Sequence, residues 1–354
     1  MKVGVVGCGG MGTTHYLSLK ALSGKMDIQV TALAECRNEY LEKAAGYFPE
    51  ARTYMYGMDL IEQEELDAVH ICLPSYLHVS HAAAAMEKGM NVFVEKPVCL
   101  TEEEGDRLLE AEKRTGVKVM IGQVVRAFEE YRFLKEAYDG RIYGELRSIV
   151  MHRISGDATW GYRDWFHKEK ESGSVVLDLH VHDVDYLRYL LGEPDRFDVR
   201  AATFENGLIN QIVTVYEFGD VFATVEGVWD VSPSLPFESN FRAAFDDATV
   251  CFNSGDKPSL TVYRKDGEIE IPDLKPEYEA ESKEAGINIS NLGPYYKEIK
   301  YFLECIRDDK KIELAPLEEG VKTVRLALKE MEAARAYINK KRFFALRQKI
   351  EKIN

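Results

Sequence analysis

The sequence lacks any uninterrupted apolar run approaching the roughly 18 to 20 residues that a membrane-spanning helix needs, so no such span is expected. It also lacks a basic surplus. Its 45 Lys and Arg side chains stand against 60 Asp and Glu, leaving a formal net charge of −15. That balance repels phosphate backbones and anionic lipid unless the basic residues cluster, and it argues against nucleic acid or a membrane as partner. No basic leader precedes the first apolar stretch, which reads as a strand, so the expected location is cytoplasmic. No CxxC spacing occurs among Cys8, Cys36, Cys72, Cys99, Cys251 and Cys305, which removes the zinc-ribbon and thioredoxin-like readings and leaves six free thiols. Cys8, Cys36 and Cys72 lie in or beside predicted strands and serve there as small apolar residues. Internal repeats, Ser/Gly linkers and low-complexity segments are missing as well. What remains is a 354-residue chain with 45% apolar and 30% charged residues, the composition of a compact enzyme of two or three domains.

Up to about Gly122, apolar strand-like runs alternate with helical patterns, the order of a parallel sheet with helices on its faces. Strands are expected at Val3–Val6, Ile28–Ala34, Ala68–Leu73, Asn91–Val94 and Lys118–Ile121. Helices are expected around Gly12–Leu22, Tyr40–Phe48, His78–Lys88 and Thr101–Thr115, the last opened by a capping box of Thr101 and Glu104. Beyond this α/β half, helices near Phe128–Tyr138 and Asp178–Leu191 accompany seven longer strands between Glu145 and Tyr263 joined by short turns. That succession favours an α+β domain built on a large, mostly antiparallel open sheet. The expected division is 1–122 and 123–354, with helical spacing again at Tyr295–Ile306 and Pro316–Phe344, the latter able to pack back on the first domain. Glu277–Ser290 reads as a loop.

The first strand runs into Gly7-Cys8-Gly9-Gly10-Met11-Gly12, a G-x-G-x-x-G run between strand and helix. Gly7 permits the tight turn, Gly9 lets a pyrophosphate approach the backbone, and Gly12 lets helix and strand pack closely. The helix start supplies free N–H groups and partial positive charge for phosphates. Glu35 closes the second strand at the spacing of a carboxylate that accepts from a ribose 2′-hydroxyl, which favours NAD; Arg37 could bind a 2′-phosphate and leaves NADP open. The same letters would also arise from a tight turn without a ligand.

Two further segments carry candidate chemistry. Glu95-Lys96-Pro97 follows the fourth predicted strand, at the sheet end where such folds bind ligands; the competing reading is a solvated turn. In Gly173-Ser174-Val175-Val176-Leu177-Asp178-Leu179-His180-Val181-His182-Asp183-Val184-Asp185, a helix starting near Asp178 would place Asp178, His182 and Asp185 on one face. A histidine beside a carboxylate is a positioned general acid/base. The alternative has Asp178 as an N-cap and His182 as a core residue. His180 and His182, two apart on a helix, point in opposed directions and should not share a metal ion.

Together the blocks GCGGMG, EKP and DLHVHDVD, with His15, Leu73-Pro74-Ser75-Tyr76-Leu77-His78 and Arg126, resemble the Gfo/Idh/MocA oxidoreductase family over about residues 1 to 340. The resemblance implies a Rossmann domain followed by a domain whose large sheet covers the nicotinamide and often forms the subunit interface. It implies that Lys96 binds the substrate oxygen, that His182 accepts and donates the proton, and that Asp178 belongs to the same block. Leu73, Pro74, His78 and Glu95 would line the cofactor, with Arg126 and Trp165 as further substrate candidates. The sequence departs from the family pattern at His180, which replaces the glycine of D-x-G-x-H, at Leu73 and Ser75, and in a shortened glycine run at Gly173-Ser174.

The reaction so implied is NAD(P)-dependent oxidation of a secondary hydroxyl on a sugar, sugar derivative or cyclitol. Two rival readings are an NAD-using glycosidase that oxidises transiently, and a regulator that binds nucleotide and sugar without turnover. No metal is expected. A sheet with one apolar face calls for a second copy of the chain, as a homodimer or homotetramer.

Overall fold

The computed structural model describes residues 1–204, 206–278 and 292–351. The chain divides into two compact units, one of Met1–Glu129 with Lys275–Lys322 and one of Glu130–Leu274 with Thr323–Asn354. The first unit contains β1 (Lys2–Val6), α1 (Gly10–Ser23), β2 (Gln29–Ala34), α2 (Asn38–Tyr47), β3 (Arg52–Tyr54), α3 (Gly57–Gln63), β4 (Ala68–Ile71), α4 (His78–Glu87), β5 (Asn91–Glu95), α5 (Glu102–Thr115) and β6 (Val119–Gly122). Six parallel strands lie in the order β3-β2-β1-β4-β5-β6. Strand order reverses between β1 and β4, and the carboxyl ends of such neighbours form the ligand crevice of a doubly wound sheet.

The capping box at α5 is present: Thr101 Oγ1 accepts from Glu104 N at 3.2 Å, and Glu104 Oε2 accepts from Leu100 N at 2.8 Å. One strand and one helix go beyond the expected set. β3 reads Arg-Thr-Tyr, a short edge strand without apolar alternation, and its Tyr54 hydroxyl bonds to the buried Glu64 at 2.5 Å. α3 follows it directly.

The second unit holds most of α6 (Glu129–Asp139), then β7 (Leu146–Ser155), α7 (Glu169–Ser172), a π-turn at Val176–His180, α8 (Val181–Leu191), β8 (Arg196–Thr203), β9 (Ile209–Phe218), β10 (Val221–Trp229), β11 (Glu238–Phe245), β12 (Ala248–Asn253), β13 (Leu260–Arg264) and β14 (Ile269–Glu270). Its sheet runs β14-β13-β12-β11-β7-β10-β9-β8, antiparallel except where β7 meets β10. The pleat separates two faces cleanly. Tyr216, Ala223, Ile149, Ala243, Val250 and Val262 form one cross-strand row, and every member is buried. The neighbouring row, Glu217, Phe222, Ser148, Ala244, Thr249 and Tyr263, points the other way, with Phe222 51% and Tyr263 50% exposed.

Two helices complete the chain, α9 (Gly293–Arg307) and α10 (Leu317–Glu351). The division differs here from the expected 122/123 boundary. α9 packs on α1, with Phe302 edge-on to Phe93 and His70, so 275–322 fold with the first unit. An apolar helix face finds whichever surface completes its burial, and chain order does not decide which. Residues 279–290 of the expected loop lie outside the described residues.

One pH effect belongs to the first unit. Burial, then the charge of Glu318, push Glu112 up to about 7. A carboxyl whose folded-state affinity for protons exceeds its unfolded one stabilises below the unfolded value, and that contribution is lost as pH rises through the folded one. Glu112→Gln is therefore expected to raise the melting temperature at pH 8 by about 2–4 °C, for roughly 1 kcal/mol, with the gain disappearing near pH 4. Melting curves of both proteins at the two pH values check it; an equal shift at each would contradict the assignment.

Candidate active site

The glycine run sits where β1 enters α1. Gly7 adopts φ +88°, and a Cβ there would lie 2.5 Å from the Cys72 carbonyl oxygen at the end of β4. A Cβ on Gly12 would lie 1.8 Å from the Gly7 oxygen, so neither position accepts a side chain. Gly9 is the N-cap of α1 and offers no side-chain acceptor to the first N–H groups. Those donors suit phosphate oxygens, and the bare backbone at Gly9 suits their close approach. The residues present thus fit a dinucleotide.

Glu35 and Arg37 form a compact unit beside this turn. Glu35 accepts from Arg37 Nε at 3.0 Å, from Arg37 Nη2 at 3.1 Å and from Cys8 N at 3.0 Å. Burial opposes its charge, but the bonds to Arg37 and that cation hold its carboxyl below the usual range. Arg37 lies 3.9 Å over the Tyr40 ring, and a Cβ on Gly9 would come 2.7 Å from its Nη2. Burial and the Glu35 charge push the Cys8 thiol up to about 12, which keeps it inert.

The loops after β4 and β5 are tied by His78, whose ring nitrogens lie 2.7 Å from the Leu73 and the Pro97 carbonyl oxygens. Burial is the largest influence on this ring and lowers its proton affinity, while the bonds to the two carbonyls act the other way. The clamp fixes Lys96 between Glu95 and Pro97. Glu95 is buried, accepts from Lys96 N at 3.3 Å and contacts His15 Nε2 at 2.8 Å; His15 Nδ1 lies 3.0 Å from His70 Nδ1. Burial and then the Glu95 charge raise Glu298 well above the carboxylate range, making it a neutral acid in the same core. From Val92 to Cys99, Lys96 alone is not buried.

The Asp/His segment departs from a helix that starts at Asp178. The backbone is already helical at Val175, and Val181 N bonds to Val176 O across a π-turn, so Asp178 lies inside the turn and is no N-cap. π-turns recur at functional sites because the extra residue re-aims the side chains that follow. From Ser172 to Arg188 every residue is buried except Asp178 and His182. Asp183 binds Arg153 of β7 through two bonds of 2.9 and 2.8 Å, and Arg153 Nη2 also donates to Tyr131 Oη at 3.2 Å. Asp185 accepts from Thr323 Oγ1 at 3.0 Å. His180 turns away from His182 into a buried cluster with Glu330.

Of the other candidates, Arg126 is buried and donates to the Leu314 carbonyl at 2.7 Å. Trp165 stacks on Phe166 with centroids 4.0 Å apart. Among the described residues no cluster of three His, Cys, Asp or Glu could hold a metal ion, and no helix is long and apolar enough to cross a membrane. All six cysteines are unbridged.

Comparison with known proteins matches residues 1–123 to the oxidoreductase family with an NAD-binding Rossmann fold, and residues 131–269 to the GFO/IDH/MocA C-terminal domain. The chain belongs to the Gfo/Idh/MocA family. Among family relatives, myo-inositol 2-dehydrogenase of Thermotoga maritima is 26% identical over 91% of this chain and 89% of its own length. Inositol 2-dehydrogenase of Rhizobium meliloti is 31% identical, over 54% of this chain and 56% of its own length. The fold matches scyllo-inositol dehydrogenase of Lactobacillus casei, solved with NAD(H) and scyllo-inositol, at TM-score 0.76 and 20% identity, over 95% of this chain and 97% of that one. The chain is thus an oxidoreductase with an NAD-binding domain.

Sequence reasoning does not find the buried charged residues Arg153, Glu298 and Glu330. Arg153 meets Asp183 and Glu330 meets His180 only through folding, and Glu298 is buried on α9; no local spacing announces them. The one clue is His180 itself, a bulky polar residue where the family motif has glycine.

Proposed function

We propose that the chain transfers a hydride between a nicotinamide cofactor and a secondary hydroxyl or ketone of a sugar, sugar derivative or cyclitol. The observation that carries this reading is a pattern of burial. In two otherwise buried segments, the half-buried side chains are an ammonium, Lys96, and a carboxylate with an imidazole, Asp178 and His182. These are the group types that such a reaction needs.

His182 takes the proton of the substrate hydroxyl and returns it in the reverse direction, because imidazole exchanges protons near neutral pH. Lys96 stabilises the developing alkoxide with its fixed charge. Asp178 orients the imidazole. When bound, the nicotinamide accepts or gives back the hydride, which is the difficult part of the chemistry. Gly7, Gly9, Gly10, Met11 and Gly12 hold the pyrophosphate, Glu35 the adenosine ribose, and Leu73, Pro74, His78 and Glu95 line the cofactor; Arg126 and Trp165 remain proposals for substrate contact.

NAD is the proposed cofactor, since the Glu35 carboxylate accepts from a 2′-hydroxyl and repels a 2′-phosphate. Arg37 is already committed to Glu35. Removing that carboxylate should free the guanidinium for a phosphate. Glu35→Ala is therefore expected to reduce the ratio of kcat/KM with NAD to that with NADP by about tenfold or more; an unchanged ratio would contradict the placement. The reaction itself is tested by following NADH absorbance with a panel of cyclitols and sugars. Net NADH is expected with at least one of them, whereas NAD binding without net reduction across the panel would overturn the reading.

The expected compartment is the cytoplasm. Phe222, Tyr263 and Val215 stand exposed on the open face of the second unit's sheet, which supports a homodimer or homotetramer closed through that face.

A further inference from the structure

His180 stands where the family motif has glycine, and the structure makes room for it on the facing strand. A Cβ on Gly227 of β10 would lie 2.9 Å from His180 Cβ, so the small residue has in effect moved from the turn to the sheet. The ring is fully buried. Its Nε2 lies 2.7 Å from Glu330 Oε2, and the Tyr216 hydroxyl donates to Glu330 Oε1 at 2.6 Å. Thr214 Oγ1 approaches Glu330 Oε2 and His180 Nε2 at 3.5 Å.

The geometry assigns the hydrogen-bonding roles. Burial and then the Glu330 charge keep Tyr216 a phenol, so it donates and the carboxylate accepts. The His180 Nε2–H supplies the second donor. His180 Nδ1 is buried without a hydrogen-bond partner among the described residues.

The cluster joins three elements: the π-turn through His180, β9 through Thr214 and Tyr216, and α10 through Glu330. Two residues to either side of His180 lie Asp178 and His182, the half-buried pair of this segment. We propose that His180 and Glu330 are positioning residues: their hydrogen bond holds the π-turn in the form that aims Asp178 and His182. The kinetic consequence rests on the reading of His182 as the proton carrier. The couple itself has a readout that does not.

The test uses His180→Phe, which keeps a ring and removes the donor, and His180→Gln, whose amide N–H can reach Glu330. Small misplacements of a catalytic group are costly, so His180→Phe is expected to lower kcat by about tenfold or more while leaving the dissociation constant for NAD within about twofold. His180→Gln should recover the rate to within about threefold. Independently of turnover, imidazole proton–nitrogen NMR should show His180 as the Nε2–H tautomer. The His182 ring signals should move in His180→Phe and return in His180→Gln. Should His180→Phe fail to fold, Glu330→Gln is expected to displace the His182 signals in the same way.

A His180→Phe protein whose melting temperature falls while its kcat and His182 signals match the native chain would reduce the couple to packing and overturn the proposal. Displaced His182 signals in a protein whose His182→Ala variant keeps full rate would leave the couple standing and remove the proton-carrier reading instead.

Discussion

Replacing His182 with alanine is expected to lower kcat by about 10²- to 10⁴-fold, the usual contribution of a positioned general base. The affinity for NAD should stay within about twofold, because the proposed cofactor residues all belong to the segments around β1, β2, β4 and β5. The split between the two parameters is the informative part. His182 is one of two half-buried side chains in an otherwise buried stretch of helix, so its removal takes away the proposed proton carrier at the edge of the core. Steady-state kinetics with the true substrate, beside a cofactor titration, measure both quantities. A variant with full turnover would remove His182 from the reaction, and a large loss of NAD affinity would show a structural defect.

Asp183→Ala, one residue further along, is expected to act on stability. Arg153 and Asp183 are both buried and joined by two bonds, and breaking a buried pair strands an uncompensated charge at a cost of about 3–5 kcal/mol. For a unit of this size the melting temperature should fall by roughly 10 °C. Replacing both partners by apolar residues of similar volume, as in Arg153→Met with Asp183→Leu, should recover most of the loss, since no unpaired charge then remains. Urea unfolding of the single and double variants checks this. A loss below about 1 kcal/mol for Asp183→Ala would mean that the pair is well solvated when broken. The effect bears on function because Asp183 anchors α8 to β7 beside His182.

The parts of this protein that are legible in its sequence are those written in local spacing. The turn from Gly7 to Gly12 is one, since Gly7, Gly9 and Gly12 each answer a contact within a few ångström. The capping box at Thr101 is another, as is the alternation of apolar strands with helices that gives the first sheet. Seven of the second sheet's eight strands, β7 to β13, are also readable, whereas β14 has only two residues and shows no pattern.

What escapes is decided by partners distant in the chain. β3 carries Arg52-Thr53-Tyr54, and its pairing to β2 has no apolar signature. α9 joins the first unit because its apolar face fits against α1, although the intervening residues 130–274 build the other unit. The π-turn replaces a regular helix start at Asp178 because His180 reaches a carboxylate 150 residues away. Helical periodicity cannot anticipate that extra residue in the turn.

The central claim is that the chain moves a hydride from a carbinol carbon to a bound nicotinamide, with net oxidation. It is tested most directly with a cyclitol or sugar, chosen from the panel as substrate, deuterated at its carbinol carbons. The account predicts that deuterium appears at C4 of the nicotinamide and that labelled NADH accumulates in step with the ketone. Binding of NAD with no transfer of label, or transfer that is reversed with no net NADH, would contradict it.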